Sequence, residues 1–560
     1  MNPRPAVARH PGDVLKVVVI VACWVLLATT LVSHFGGRLS PYLQAGVGIV
    51  VLSLAAYAVW APSRPSFPAI RPLLAAIVAL GVYYRASIVS FPSSYLGMDP
   101  DKFATVMVSL METGRVAGLD FQFYGKAPTF LLSGALTGKI LGVGDLRILD
   151  VYAYVFGIFF PLLAYVIARR LWTDRAGIYA ALLVTVGATS VMYAVMPLAQ
   201  TLAVGLWLPF LYVLGQYLQH KRGRDLALAF LFTITLVYTH KITTLLVFGA
   251  VVGSGALILL KSGDWRDQPV RRATTPSTLF VLTLLSGVLV LVQLTVITDF
   301  ITGVIGRLLL ALQVASVTTV HAVPKAARPV AAGTMYFLLR RAYGLSLVPL
   351  AGIAWLLLAR KAESDDEWTL LAGIAVCIVL TGVGSVSVSA VNPSRMYFYV
   401  ELLLCVLVSI TLLTRYATGR RRRTLAAAVL VLLLMSQLVS PLIVPDSPQS
   451  DRQYLTAEEV AAKRFSSHVP AQIATDQYYA QESVNLRNPG DQRVYVAADE
   501  NLMNDTAFPS RAYVAYREKA RVYRLYGKMK GRWSLTYDPE VGLDRHRDRV
   551  YANGGVVIYD

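Results

Sequence analysis

The chain is dominated by uninterrupted apolar runs of about 20 residues, the length that carries an α-helix across the hydrocarbon core of a bilayer. They fall at residues 14–35, 43–61, 70–90, 150–168, 176–194, 199–218, 225–239, 242–260, 277–298, 343–359, 368–388, 396–414 and 424–444. Inside a membrane only a helix or a closed barrel satisfies its own backbone hydrogen bonds. These runs predict a polytopic α-helical membrane protein of about 13 transmembrane helices. Composition agrees, with 56% of the 560 residues hydrophobic and 15% charged. The first run follows Arg4, Arg9 and His10, as a signal peptide would, but no small-residue cleavage site leads into a soluble domain. It reads as a retained span.

A net charge of +19 raises the question of nucleic acid, and the placement of the charges answers against it. Lys and Arg sit mainly in short loops between apolar runs, where they orient the spans. With the N-terminus cytoplasmic, the inside loops hold Arg64 and Arg71, Arg169, Arg170 and Arg175, Lys221, Arg222 and Arg224, Lys261, Arg266, Arg271 and Arg272, and Arg415 with Arg420–Arg423. The short outside loops hold little beyond Arg38, Lys241 and Arg395. The expectation is a multi-pass protein of the cell membrane with three longer segments facing outward: 91–149, about 299–342, and the tail. Cys23, Cys377 and Cys405 all lie in apolar runs, which argues against a disulfide framework or a Cys metal site.

Four regions follow: three N-terminal spans (1–90), an outer loop (91–149), a transmembrane core (150–445) and a small extracytoplasmic α/β or α+β domain (446–560). The tail begins after Pro445 and Pro448, where hydropathy drops. Thr456-Ala457-Glu458-Glu459 has the form of a capping box, and Arg549–Tyr559 reads as a hairpin around Asn553-Gly554. Asn504-Asp505-Thr506 is a glycosylation sequon, weak evidence by itself.

The outer loop carries the most chemistry. It opens Gly97-Met98-Asp99-Pro100-Asp101, and Phe103, Val106, Met107 and Leu110 then recur at helical spacing. This predicts an interfacial amphipathic helix over 101–113, and a second is expected over 128–141. Between them runs Phe121-Gln122-Phe123-Tyr124-Gly125-Lys126-Ala127-Pro128. Two interfacial helices joined by an aromatic, Gly- and Pro-bearing turn would cover a cavity at the outer leaflet.

This arrangement resembles the GT-C superfamily of polyprenyl-phosphate-dependent glycosyltransferases, which includes protein mannosyltransferases, aminoarabinose transferases and oligosaccharyltransferases. The matching residues are Asp99 and Asp101, Glu112-Thr113-Gly114 closing the first helix, and Tyr124-Gly125-Lys126-Ala127-Pro128, which is similar to the Tyr-x-Lys-Pro-Pro turn of the aminoarabinose-transferase branch. Ala127 stands where that turn has its first Pro, and two additional spans precede the loop. The resemblance implies inverting transfer of a sugar from a polyprenyl-phosphate-linked donor to a glycan, lipid or protein acceptor at the outer face. Asp99 or Asp101 would orient or deprotonate the acceptor. The leaving lipid phosphate needs positive charge, for which Arg85, Lys126, His240, Lys241 and Arg395 are candidates, with Tyr124 and Glu401 beside them. A divalent cation at Asp99 and Asp101 is the one cofactor left open.

Each residue also has a structural reading. Asp99-Pro100-Asp101 fits a helix start, Arg85 a snorkelling cation, and His240-Lys241 a solvated turn. Arg340 and Arg341 read as helix anchors. Glu401 is harder to dismiss, since a carboxylate inside a span is costly unless paired or facing a cavity; its natural partners are Arg395 or an Arg from another span. Other function classes stay open. A flippase or transporter predicts broken helices in matching halves, of which the sequence offers no pair. An O-antigen ligase or polymerase would use a late loop, and Arg307, His321, Lys325 and Arg328 fall in one. A non-catalytic membrane protein is the fourth class.

Overall fold

The protein is described here from a computed structural model, which covers residues 11–35, 41–60, 67–90, 92–116, 122–143, 146–261, 274–297, 324–330, 334–386, 393–438, 454–466, 468–469, 471–481, 495–520, 522–525 and 531–560. Arg307, His321 and the side chain of Arg340 lie outside this set.

The apolar runs fold as helices: α1 (Pro11–Phe35), α2 (Pro41–Trp60) and α3 (Phe67–Val89) precede the outer loop. The loop supplies α4 (Met98–Thr113), α5 (Gln122–Lys126) and α6 (Thr129–Leu141). There follow α7 (Asp150–Leu171), α8 (Asp174–Val186), α9 (Ala188–Val195), α10 (Ala199–His220), α11 (Gly223–Val237), α12 (Thr243–Lys261) and α13 (Thr274–Val292). The last four are α14 (Thr334–Ala359), α15 (Asp365–Val386), α16 (Pro393–Ile410) and α17 (Arg420–Leu438). Among the described residues six helices are long and apolar enough to cross a membrane, or seven if α8 and α9, bent by 55° at their junction, form one span. The remaining apolar runs are helical as well.

Helix α16 is the hub. It packs against α7, α8, α9, α10, α14 and α15, and its Met396, Phe398, Tyr399, Cys405, Leu407 and Ile410 are fully buried.

The outward-expected segments meet at one end of the bundle. Ser94 Oγ, at the start of the outer loop, accepts a hydrogen bond from the Leu455 backbone N–H at 2.8 Å. Strand β1 (Ala327–Pro329), from the segment after α13, pairs antiparallel with β6 (Gly531–Leu535) of the tail. Loops expected inside meet at the other end, where Arg170 lies 3.9 Å from Asp366 and Arg415 lies 2.7 Å from Glu367.

The tail is a mixed α/β unit. Strands β2 (Ile473–Thr475), β3 (Tyr495–Ala497), β4 (Tyr513–Arg517), β7 (Arg549–Ala552) and β8 (Val556–Tyr559) form one sheet in the order β3-β2-β4-β8-β7. In the other, β6 lies between β1 and β5 (Tyr523–Leu525). One strand of the tail's sheets therefore comes from residues 327–329, well before the boundary expected near 446. The capping box forms reciprocally: Thr456 Oγ1 accepts from the Glu459 N–H, and Glu459 Oε2 accepts from the Thr456 N–H. The hairpin turns at Asn553-Gly554, with Gly554 at φ 76°, a conformation costly for residues with a Cβ. Inside the tail, buried Arg517 bridges Asp476 at 2.8 Å and Glu459 at 3.6 Å.

Two outcomes are expected. In a Cys23→Ser background, cysteine at Lys126 reacts with an impermeant maleimide on intact cells while cysteine at Arg422 reacts only after permeabilisation; equal reactivity from outside overturns the alternation. In the tail, burial and then nearby Asp476 push the Asp499 carboxyl up to about 7. A raised folded-state value means that ionising this acid costs stability, so the tail weakens from about pH 4 to pH 7. Asp499→Asn flattens that slope, as read by urea denaturation and pulse proteolysis at pH 5 and pH 8.

Candidate functional site

Helix α4 begins at Gly97, whose φ of 82° and absent side chain leave the helix without a side-chain cap. A Cβ there would lie 2.6 Å from Met196 Sδ, so the loop start is pressed onto the end of α9. The helix closes at Gly114 in the left-handed conformation, its N–H bonded to the Leu110 carbonyl. Asp99 and Asp101 both occupy the first turn. Two residues apart on a helix, they point to opposite sides. Asp99 is about half exposed, while Asp101 is buried, with its charge near Tyr95. They therefore do not present a common oxygen-lined face to a cation, and among the described residues no three metal-ligating side chains converge.

Asp99 lies 3.5 Å from Arg395, at the start of α16. The Gln200 amide, in the first turn of α10, donates to the Arg395 carbonyl. Three helix N-termini (α4, α10 and α16) thus gather around one cation and one exposed acid, and their aligned dipoles favour an anion there. Tyr124 on α5 joins them. Burial pushes its phenol up to about 12, with Arg395 and Asp99 acting on it in opposite directions, so it remains protonated. Its ring meets Phe103 of α4 edge-on at 5.0 Å, and Phe103 meets Phe130 of α6 at 5.2 Å. These contacts hold the interfacial helices together.

The turn 124–128 is laid against the turn between α11 and α12, where the Thr129 N–H donates to the Tyr238 carbonyl at 3.2 Å. Ala127 is fully buried against Val237 and Ile297. Gln293 fixes the second turn by donating to the Val237 and His240 carbonyls. His240 Nδ1 lies 3.3 Å from the Tyr399 hydroxyl, with donor and acceptor set by the tautomer. Burial, then the charges of Arg395 and Lys241, depress His240 to about 3. It is uncharged at neutral pH, so the cations at this place are Arg395 with the exposed Lys126 and Lys241.

Arg85 and Glu401 stand elsewhere, at the break between α8 and α9. The Arg85 guanidinium donates to the Gly81, Thr185 and Val184 carbonyls and to Ser190 Oγ. Glu401 accepts from the Thr189 N–H and hydroxyl and from the Ser190 N–H. A cation thus closes the C-terminal end of one half-helix and a carboxylate closes the N-terminal end of the next, each with the favourable dipole sign. Gly187 sits between them, where a Cβ would lie 2.6 Å from Glu401 Oε1. Glu401 is held by Thr189 and Ser190, with the Arg85 charge of α3 within electrostatic range.

Two contributors are absent from the sequence reading. Arg147 donates to the Val89 and Pro92 carbonyls and to Asp150, tying the outer loop's two ends together. Gln200 is the other. The Arg147/Asp150 spacing is a helical ion-pair signal, whereas nothing local marks Gln200. Of the ligase-type residues, Lys325 and Arg328 lie at the strand joined to the tail; Arg341, read as a helix anchor, is exposed on α14.

No protein-family model matches the chain, and no curated protein matches its sequence. Among solved structures, ArnT from Cupriavidus metallidurans bound to undecaprenyl phosphate aligns with TM-score 0.51 and 12% identity, over 88% of this chain and 98% of that one. Its apo form gives TM-score 0.47 and 13% identity over 87% and 97%. The Archaeoglobus fulgidus oligosaccharyltransferase in the apo form gives 0.46 and 12% over 85% and 70%. The first likeness, end to end along both chains, shows a shared fold.

The break yields a double-mutant test. Arg85→Met strands buried carbonyls and Glu401, with an expected cost of about 3–5 kcal/mol. Adding Glu401→Leu costs less than the sum of the two single changes, with about 0.5–3 kcal/mol of coupling. Strict additivity in thermal unfolding of the detergent-solubilised chain would show that the two side chains act separately.

Proposed function

From a chain with the fold of ArnT, an architecture of the GT-C superfamily, we propose a membrane glycosyltransferase that moves a sugar from a polyprenyl-phosphate-linked donor to an acceptor at the outer face. The observation that carries this reading is the Asp99–Arg395 pair, set among three helix N-termini at the end of the bundle where the outer loop and the tail meet. It brings together what the reaction needs, a carboxylate for the acceptor and positive charge for a phosphate.

The acceptor's hydroxyl or amide attacks the anomeric carbon opposite the lipid phosphate. The bond from that carbon to the phosphate oxygen breaks, and the phosphate leaves with the electron pair, so the configuration inverts. Asp99 orients the acceptor and takes its proton. Arg395 accepts the developing charge on the leaving phosphate, aided by Lys126 and Lys241, which stand on the two apposed turns. Tyr124 and His240, both uncharged, act as hydrogen-bonding walls. Because the resting Arg395 is paired with Asp99, an arriving phosphate competes for the guanidinium and frees the carboxylate for the acceptor. Asp101, buried on the other side of the first turn of α4, has no role in this step. No step is assigned to a divalent cation, because the two carboxylates do not share a face.

The reading places the tail and residues 91–149 outside the membrane. The broken span gives little support to a transporter, since its break is filled by Arg85 and Glu401 and no second bent pair occurs among the described residues.

Asp99→Asn is expected to lower transfer of radiolabelled sugar from a polyprenyl-phosphate donor by about 10²–10⁴-fold, with the chain still folded in the membrane. Arg395→Gln weakens donor binding by roughly 10–100-fold, visible as a raised KM. Full activity of Asp99→Asn would remove the acid from the mechanism. Lipid analysis of a deletion strain, by the polyprenyl-phosphate sugar that accumulates, identifies the donor.

A further inference from the structure

The four consecutive arginines Arg420–Arg423 open α17 at the end of the bundle opposite the candidate site. A helix N-terminus is the wrong end for cations, because the macrodipole there is already positive, and Arg420 and Arg423 are like charges three residues apart on one helix. The neighbouring basic residues meet this problem with acids of the protein: Arg169 lies 2.7 Å from Asp174, Arg170 lies 3.9 Å from Asp366, and Arg415 lies 2.7 Å from Glu367. Arg420–Arg423 are all exposed, and none makes an ion pair among the described residues.

The helix below them says what they face. Arg421, Leu425, Ala428, Leu432 and Met435 follow one another at steps of four and three, and all are exposed, with Leu425 at 65% and Leu432 at 53%. An apolar stripe of this kind on a membrane helix is turned to lipid tails. Ala426, Leu430, Leu433 and Leu434 on the other side are buried, and Arg423 on that side is close enough to act electrostatically on Tyr179 of α8. Arg421 therefore stands directly above the lipid-facing stripe, with Arg420 and Arg422 exposed about 100° to either side of it. Helix α2 packs beside α17 and ends in Trp60, 87% exposed, the residue type that settles at headgroup depth. Charge and depth coincide there, and among the described residues no acid pairs with these arginines.

We propose that Arg420–Arg422, supported by Arg423, form a binding surface for the headgroups of anionic phospholipids, holding a ring of such lipids around the start of α17. Orientation of the span needs only the number of positive charges in the loop. Recognition of headgroups needs them exposed and without an acid partner, as they are among the described residues. This inference does not depend on the sugar-transfer reading.

The test uses the full-length chain purified in neutral detergent and titrated with dioleoyl-phosphatidylglycerol or dioleoyl-phosphatidylcholine while thermal unfolding is followed. Phosphatidylglycerol raises Tm by several degrees and phosphatidylcholine does not, and the shift shrinks as salt rises from 0.05 to 0.5 M. The variant R420Q/R421Q/R422Q/R423Q loses the shift, with apparent affinity lowered by roughly a hundredfold. The corresponding four-lysine variant keeps most of it, and K221Q/R222Q/R224Q, in another basic loop, keeps all of it. An undiminished shift in the four-glutamine variant overturns the proposal, as does an equal shift with phosphatidylcholine. Should that variant fail to fold, a wild-type shift unchanged at 0.5 M salt overturns it too. Inorganic phosphate producing the same shift would point to a free anion and overturn the lipid assignment.

Discussion

A helix interrupted inside a bilayer exposes backbone donors and acceptors where no water can take them up, so something in the protein must. Here the break between α8 and α9 is closed by two polar side chains from other helices. Arg85 of α3 serves the carbonyls at the end of α8, and Glu401 of α16 serves the amides at the start of α9. The geometry of the site depends on this. The direction α9 takes after the break sets where Met196 meets Gly97, and Gly97 sets where α4 begins. The position of Asp99 thus follows from Arg85 and Glu401, two side chains outside the group around Arg395.

The polar groups at the break and at Asp99 differ in exposure. At the break, the charge is enclosed, with both terminal nitrogens of Arg85 and both oxygens of Glu401 hydrogen-bonded. At Asp99 and Arg395 it is half exposed, and a partly solvated pair at 3.5 Å is weak enough to exchange partners. In the sugar-transfer reading, a phosphate and an acceptor compete for the two halves, which Gln200 and the apposed turns at 124–128 and 238–241 hold in place.

Much of the outer loop is legible in the sequence because its signals are local. The 3.6-residue spacing of Phe103, Val106, Met107 and Leu110 marks α4, Gly114 marks its end, and Thr456 with Glu459 marks a helix of the tail. The grouping of Asp99, Tyr124, Lys126, His240, Lys241 and Arg395 follows from placing alternate loops on one side. What local pattern does not carry is side-chain direction and long-range partnership. Arg85 and Glu401 read as members of the site because both are charged and near an apolar run, yet their partners are Thr185 and Ser190, distant from both in sequence. Asp101 looks equivalent to Asp99, and one half-turn of helix separates buried from exposed.

The sequence by itself determined the class of molecule, because hydrophobic length and the distribution of Lys and Arg are properties of the chain that the bilayer reads directly. It also determined the chemistry on offer at the outer loop. Only the tertiary structure decided which charges meet. It assigned Arg395 to Asp99 and Arg85 to the broken span, left Arg420–Arg423 unmatched, and took a strand of the tail's sheet from residues 327–329. The physical reason is range: hydrophobic periodicity acts over one helix, whereas satisfying a buried charge draws on whichever helices packing brings together.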